Sequence, residues 1–258
     1  MFIKELVFEC YQDTNYAAVE RAINNYFDML RYNGQILGRE FPIAMQQAVF
    51  STRLVCPEKN SLASCFNSPQ VEKALTQLTE AGLLAPKIKN VAEDLNSLAC
   101  APSTKPSWQL LYTTFLDTCS PLRCGDTLNP IPLYRAPEPI GNGDRKAVLK
   151  WQEEWVSCDE LQMNGSAVSA LLLKEIGDID SRLCSIGRRL TQRIEKITSI
   201  PTYYYLYRVA GISLEDEQAR KCPGCGQSWR LAEPLFDIFD FKCDNCQLVS
   251  NLSWDFKK

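Results

Sequence analysis

The sequence contains no histidine among its 258 residues. This absence excludes histidine general bases, Ser-His or Cys-His nucleophile pairs, and mixed Cys/His metal sites. The chain also lacks the GxxxxGK[ST], GxGxxG and GxSxG patterns of phosphate loops, dinucleotide sites and hydrolase nucleophile elbows. We therefore expect a protein that is not an enzyme, with an enzyme as the less favoured alternative. Any bound metal ion must have thiolate or carboxylate ligands.

Long apolar runs are missing as well. No stretch of 18 or more apolar residues occurs, and Lys4, Glu5 and Glu9 interrupt the N-terminal segment where a signal peptide would need to be apolar. We therefore expect a cytoplasmic protein that does not bind membranes. Thiols stay reduced in that compartment, so the twelve cysteines predict free thiols or metal ligands rather than disulfides.

The chain has no excess of positive charge, since 28 lysines and arginines are outnumbered by 31 acidic residues and the formal net charge is −3. A chain of this kind does not bind polyanions by bulk attraction, so any nucleic-acid binding must use a local patch. The hydrophobic fraction of 45% is that of a globular protein with a substantial core.

Composition and periodicity divide the chain into four segments of an α+β protein. Residues 1–118 predict the order strand, helix, strand, strand, helix, strand, which is that of a ferredoxin-like unit. Prolines and glycines make 119–143 a linker or boundary. Residues 144–218 predict a helical segment that ends in a tyrosine-rich strand, and residues 219–258 a zinc ribbon.

The first segment gives specific boundaries. We expect strands at 2–10, 36–43, 46–56 and about 108–115. A helix at 14–33 has Thr14 as its predicted N-cap and Gly34 as its stop, and Ser68-Pro69 opens a second helix that ends at Gly82. In the third segment we expect helices at about 144–164 and 167–197, followed by the strand Pro201 to Arg208.

The strongest motif is a pair of Cys-x₂-Cys sequences separated by seventeen residues. This spacing is typical of a four-cysteine zinc site, with Gly224 and Gly226 permitting the tight turn of the first pair. Four protein thiolates fill a tetrahedral ion's coordination, so we expect one structural Zn²⁺ rather than a catalytic one. The predicted ligands are Cys222, Cys225, Cys243 and Cys246.

Two metal alternatives stay open. Iron could occupy the same thiolate cage. A second site could use Cys119 and Cys124, although four residues separate them and no partner ligands are evident.

Basic residues are concentrated just before the ribbon. Residues 182–208 contain six basic residues and one acid, Glu195. Four of the cations fall within an arc of about 60° on the predicted helix, and the tyrosines after it could offer rings for base stacking. The alternative is an ordinary solvated helix face beside a tyrosine-rich sheet core. The candidate nucleic-acid-binding residues are Arg182, Arg189, Arg193, Lys196, Tyr203, Tyr205 and Arg208.

The ribbon itself is less suited to polyanions. From Arg220 onward there are six basic residues and five acids, and a Zn²⁺ ion with four thiolates adds −2, so the net charge is about −1. Ribbons also serve as protein-docking units.

Three blocks carry a family resemblance: SPLRCGD with IPLYR (120–126 and 131–135), PTYYYLYR (201–208) and CPGCG with FDFKCDNCQLVSN (222–251). Together they resemble an uncharacterised bacterial family of zinc-ribbon-containing proteins considered as nucleic-acid-binding. The resemblance implies a bacterial cytoplasmic setting and a Zn²⁺ site on the four cysteines.

The sequence thus predicts a zinc-ribbon protein that contacts DNA or RNA. The alternative is a protein-interaction module, such as an adaptor or inhibitor, that uses the ribbon or the N-terminal body.

Overall fold

The computed structural model describes residues 1–102, 105–136 and 144–256. Within these ranges the chain forms two compact units. The first contains residues 1–102, 118–120, 129–136 and 144–146, and the second contains residues 105–117, 121–128 and 147–256. Strands and helices occur in both, which confirms the predicted α+β class.

The first unit is a four-stranded antiparallel sheet with two helices. Its strands lie in the order β2-β3-β1-β4, and the strand–helix–strand–strand–helix–strand succession expected of a ferredoxin-like unit is present. Alternate residues of β1, including Leu6 and Phe8, pack against the buried faces of both helices. The elements are β1 Phe2–Glu9, α1 Tyr16–Asn33, β2 Ala44–Gln46, β3 Val49–Cys56, α2 Pro69–Glu80 and β4 Lys87–Glu93.

The helix ends follow local capping chemistry. The N-cap of α1 is Asn15 rather than the predicted Thr14, because the Asn15 side chain accepts a hydrogen bond from the amide of Ala17. Gly34 ends α1 in the left-handed conformation, as predicted. Ser68 caps α2 with Pro69 in its first turn, and Gly82 follows its end with φ +87°, so this prediction is also confirmed.

Two strand predictions for this unit are wrong. Residues 36–43 form no strand apart from an isolated bridge between Leu37 and Val55, and the strand lies at β2 instead. The fourth strand is β4, not residues 108–115. All seven residues of this edge strand are exposed, so it lacks the alternation that identifies a half-buried strand in a sequence.

The second unit is built on a six-stranded mixed sheet in the order β6-β5-β7-β10-β9-β8. The central strand β7 pairs in parallel with β5 on one side and with β10 on the other. The antiparallel pairs are β5 with β6, β10 with β9, and β9 with β8. The elements are β5 Gln109–Leu111, β6 Leu122–Cys124, α3 Asp144–Met163 (mostly in this unit), α4 Ser169–Gly177, α5 Arg182–Thr198, β7 Thr202–Leu206, α6 Leu214–Ala219, β8 Arg230–Leu235, β9 Phe239–Cys243 and β10 Leu248–Ser250.

Aromatic side chains fill the centre of this unit. All five residues of β7 are buried, as expected for a strand covered on both faces. The ring of Tyr205 packs edge-on against Tyr112 and Phe239, and the ring of Tyr204 packs against Trp151. The stretch 108–115 therefore supplies β5 to this core, where Leu110 and Leu111 are fully buried.

The predicted continuous helix at 167–197 is wrong, because two helices occupy this region. Helix α4 ends at Gly177, and Ser181 starts α5 by accepting a hydrogen bond from the amide of Cys184. The predicted helix at about 144–164 is confirmed by α3.

The proline-rich stretch 119–143 is described in part. It contributes β6 and a short 3₁₀ turn at Leu133–Arg135, and residues 137–143 lie outside the described residues. The division into four segments stays a prediction. Within the described ranges, no helix has the length and apolar content needed to cross a bilayer.

Helix α5 approaches β7 closely at Gly187, where the structure leaves no room for a larger residue. A Cβ atom at Gly187 would lie 2.2 Å from Cε2 of Tyr204 and 2.7 Å from Nε1 of Trp151. Gly187→Ala should therefore lower the free energy of unfolding in urea by about 1–3 kcal/mol, although alanine has the higher helix propensity. Gln192→Ala on the exposed side of the same helix should change it by less than about 0.5 kcal/mol. A Gly187→Ala protein as stable as the wild type would contradict the packing.

Candidate metal centre

Four cysteine thiols converge at one end of the sheet. Cys222 and Cys225 lie between α6 and β8, Cys243 ends β9, and Cys246 lies in the turn before β10. All four Sγ atoms lie within 4.8 Å of one another, and those of Cys225 and Cys243 are 3.7 Å apart. A tetrahedral ion with metal–sulfur bonds of about 2.3 Å requires sulfur separations of about 3.8 Å. The four predicted ligands therefore have the spacing of a metal centre.

Backbone geometry holds the first cysteine pair in a tight turn. The amide of Gly226 donates to the carbonyl of Cys222 at 2.8 Å, and the amide of Cys222 donates to the carbonyl of Gln227 at 2.9 Å. Gly226 has φ +71°, a conformation that favours glycine. At Gly224 an added Cβ would lie 2.8 Å from Sγ of Cys246, so the second cysteine pair packs directly on this turn.

The thiols differ in acidity. A hydrogen bond from the backbone amide of Gln227, helped by the neighbouring thiols, lowers the pKa of Cys225 to about 7. Burial, together with the adjacent thiols, raises the pKa of Cys246 to about 12 and also raises the pKa of Cys243. Four thiolates at these separations repel one another, so the fully deprotonated set requires a divalent cation.

The second cysteine pair is tied to the central strand. The amide of Tyr204 donates to the carbonyl of Gln247 at 2.9 Å, and the hydroxyl of Tyr203 donates to Oδ1 of Asp244 at 2.7 Å. The side-chain amide of Gln247 donates to Oε2 of Glu195 on α5 at 2.5 Å. The four-cysteine segment therefore shares a sheet with β7.

The predicted cationic face of α5 is solvent-exposed. Arg182, Arg189, Arg193 and Lys196 are all exposed, while the buried face comprises Leu183, Cys184, Gly187, Leu190 and Thr191. Arg182 forms an ion pair with Glu154 of α3. Arg189 and Lys196 have no ion-pair partner within the part of the chain that the structure describes.

The structure buries the tyrosines that were candidates for base stacking. Tyr203 and Tyr205 are only 6% and 3% exposed, so neither ring offers a surface to a base. The hydroxyl of Tyr205 donates to Oδ1 of Asn251 at 3.0 Å, and Lys242 lies over the ring of Tyr203. These rings belong to the sheet core.

Arg208, another predicted contact residue, forms an ion pair with a residue of the same unit. Its Nε donates to both carboxylate oxygens of Glu217, at 3.0 and 3.2 Å, and Glu217 is buried. Arg220 forms a second ion pair with this carboxylate, with Nε 3.6 Å from Oε2. The importance of Glu217 was not evident from the sequence, because it lies on a short acidic helix whose exposed residues have the same composition.

Cys119 and Cys124 are both buried. Within the described residues, neither belongs to a group of three or more candidate metal ligands.

Models of three protein families match successive parts of the chain. Each is described as a domain of unknown function: DUF8589 matches residues 1–92, DUF2310 residues 103–207 and DUF8594 residues 211–256. The last includes all four cysteines.

Two proteins from Haemophilus influenzae, both named as uncharacterized, are similar to the chain. One is 45% identical over 250 residues, which is 95% of each chain. The other is 46% identical over 204 residues, which is 78% of this chain and 95% of the relative.

Among solved structures, one described as an antibiotic biosynthesis monooxygenase from Deinococcus radiodurans matches 38% of this chain and 100% of its own. The identity is 12% and the TM-score 0.27, so the match supports no inference about fold or activity.

The four-thiol geometry predicts that the protein binds about one metal ion per chain when purified under reducing conditions without chelators. Cys225→Ser should release most of this metal, because a hydroxyl is a poor substitute for a thiolate. Cys65→Ser is the matched control, since Cys65 is an exposed free thiol far along the chain from the centre. Elemental analysis of the three proteins measures the effect. Full metal occupancy in the Cys225→Ser protein would exclude Cys225 from the ligand set.

Proposed function

The chain belongs to the same bacterial family as its two Haemophilus influenzae relatives, and from its own residues we propose that it is a non-enzymatic zinc-ribbon protein that binds nucleic acid. The observation that carries nucleic-acid binding is the exposed cationic face of α5, Arg182, Arg189, Arg193 and Lys196. The four thiols carry the zinc assignment.

Zinc is the ion that we propose for this ligand set. The two Cys-x₂-Cys sequences, the first before β8 and the second at the end of β9, support a zinc ribbon. Four thiolates leave no open position for a substrate or a water molecule, so the proposed ion is structural. This supports a role in folding and binding rather than in catalysis.

A reducing compartment fits the cysteines. All twelve lie in the described residues and are free thiols, several of them buried. Thiols at this number persist where the environment is reducing, so we propose a cytoplasmic location.

The cationic face supports contact with phosphates rather than with bases. It lies opposite the buried face of α5 and extends over about 21 Å of helix from Arg182 to Lys196. The neighbouring tyrosines are buried, so the side chains available are guanidinium and ammonium groups. Contacts of this kind are insensitive to base sequence and strongly sensitive to salt. The proposed ligand is accordingly DNA or RNA bound through its backbone.

Nucleic-acid binding can be tested by fluorescence polarisation with labelled single-stranded and duplex DNA and RNA across a range of salt concentrations. For a duplex, each phosphate contact contributes about −0.9 to the slope of log K against log salt, so Arg189→Ala/Arg193→Ala should weaken binding and reduce the slope by about two. Arg21→Ala/Arg39→Ala removes two exposed arginines from the first unit and should change neither. No binding at low salt, or equal losses in both variants, would refute the proposal.

A protein partner is the second candidate function. It is favoured by apolar side chains exposed where α3 ends and α4 begins, where Met163 is 57% and Leu171 66% exposed. Leu161 and Val168 in the same stretch are also more than two-fifths exposed. If these four side chains, which fall within eleven residues of sequence, form one contiguous apolar patch, that patch would suit a protein partner.

A nuclease-treated pull-down from the native cell separates these two functions. A single stoichiometric protein that survives nuclease treatment and is lost with Met163→Ser/Leu171→Ser would favour the protein partner. Recovery of nucleic acid from the untreated sample, unchanged by that variant and lost with Arg189→Ala/Arg193→Ala, would favour the leading proposal. The two apolar-to-polar changes lie on exposed positions and should leave metal content unchanged.

A further inference from the structure

The second unit contains a groove that lies apart from the cationic face of α5. Helix α4, the α4–α5 connection, the end of β7 and the segment before the first cysteine pair line it, with a cavity volume of about 570 Å³. This volume lies within the range of small-molecule sites, about 300–1,000 Å³. The groove occurs where the region matched by DUF2310 meets the region matched by DUF8594.

One part of the groove wall is aliphatic and closely packed. Leu173, Ile179 and Val209 contribute to it. Helix α4 approaches the end of β7 so closely that a Cβ at Gly177 would lie 2.8 Å from the carbonyl oxygen of Tyr207. Ala210, which also lines the groove, has φ +64°, a conformation that is unfavourable for a non-glycine residue.

The charged part of the lining is mostly basic. Lys174, Arg208, Arg220 and Lys221 line the groove together with one carboxylate, Asp178. The two arginines are held by the fold, because both face the buried carboxylate of Glu217. Arg220 also lies over the ring of Phe241 and has a buried Nε with no hydrogen-bond partner in the described residues.

The two lysines differ from the arginines. Lys174 and Lys221 are exposed, and within the described ranges their ammonium groups form no hydrogen bond or ion pair. The arginines already form ion pairs with the carboxylate of Glu217. Lys174 in α4 and Lys221 in the loop after α6 are therefore the groove cations that remain available for a bound anion.

We propose that this groove binds a phosphate monoester of nucleotide size, with its phosphate at Lys174 and Lys221 and its organic part against the aliphatic wall. Two ammonium groups match the charge of a phosphate at neutral pH, about −1.5 to −2. Charge-assisted hydrogen bonds from such groups are about twice as strong as neutral ones. The same chemistry occurs in a free nucleotide and in the 5′-phosphate of a nucleic-acid strand. The site does not depend on nucleic-acid binding by α5.

The proposal is tested by isothermal titration of the full-length, metal-loaded protein with AMP and with adenosine at low salt. AMP should bind and adenosine should bind at least about tenfold more weakly, because it lacks the phosphate. Lys174→Ala/Lys221→Ala should weaken AMP binding by about tenfold or more. The control, Lys73→Ala/Lys89→Ala, removes two exposed lysines from the first unit and should bind AMP as the wild type does. Metal content and thermal midpoint of all proteins verify folding.

A second arm identifies the source of the phosphate. An oligonucleotide with a 5′-phosphate is compared with the same strand ending in a 5′-hydroxyl, using the Arg189→Ala/Arg193→Ala protein so that the α5 face contributes less to binding. Preference for the phosphorylated strand, lost with Lys174→Ala/Lys221→Ala, would show that the groove takes strand ends. AMP binding alone would identify a free nucleotide. If neither AMP nor the 5′-phosphate is preferred over its dephosphorylated counterpart, or if the lysine variant binds as the wild type does, the proposal is wrong whatever the α5 experiment shows.

Discussion

The second unit depends on the burial of β7 between two parallel neighbours. Its three tyrosines can occupy a strand with no exposed residue because each hydroxyl has a partner: Asp244 for Tyr203, the thiol of Cys184 for Tyr204 and Asn251 for Tyr205. Two of these partners lie in the cysteine-rich C-terminal segment. The pairing of β7 with β10 therefore fixes both the aromatic core and the position of the second cysteine pair.

The sheet positions the second cysteine pair more directly than the first. Cys243 and Cys246 flank the turn between β9 and β10, so the sheet positions them. Cys222 and Cys225 lie in a turn outside any strand, held by contacts such as the hydrogen bond from Nε1 of Trp229 to the carbonyl of Arg220 at 3.0 Å. A metal ion bound by all four would thus connect a loop to a sheet, and its contribution to stability would fall mainly on the loop.

Local chemistry explains what could be predicted from the sequence. The Cys-x₂-Cys turns and the caps at Gly34 and Ser68 are short-range features, and each appears in the structure. Two errors are local, namely the N-cap placed at Thr14 and the missed helix break before Ser181. The others concern partners that are distant in sequence. Nothing in PTYYYLYR shows that β7 is a central strand with β5 and β10 on its two edges, so the sequence does not decide whether the tyrosines are buried or available for base stacking. Strand β4 was missed because an exposed edge strand has no burial pattern, and its pairing with β1 spans more than eighty residues.

The break between α4 and α5 determines which basic side chains share a surface. In one continuous helix, Lys174 would precede Arg182 by eight residues and lie about 80° around the same axis, as an extension of the cationic face. Ser181 instead starts a new helix after Gly177, so Lys174 lines a groove with Lys221 while Arg182 begins the α5 face. The helix cap formed by Ser181 therefore places Lys174 and the basic residues of α5 on two different surfaces. One is an open row that suits a polymer backbone, and the other is a concave site that suits a single phosphate group.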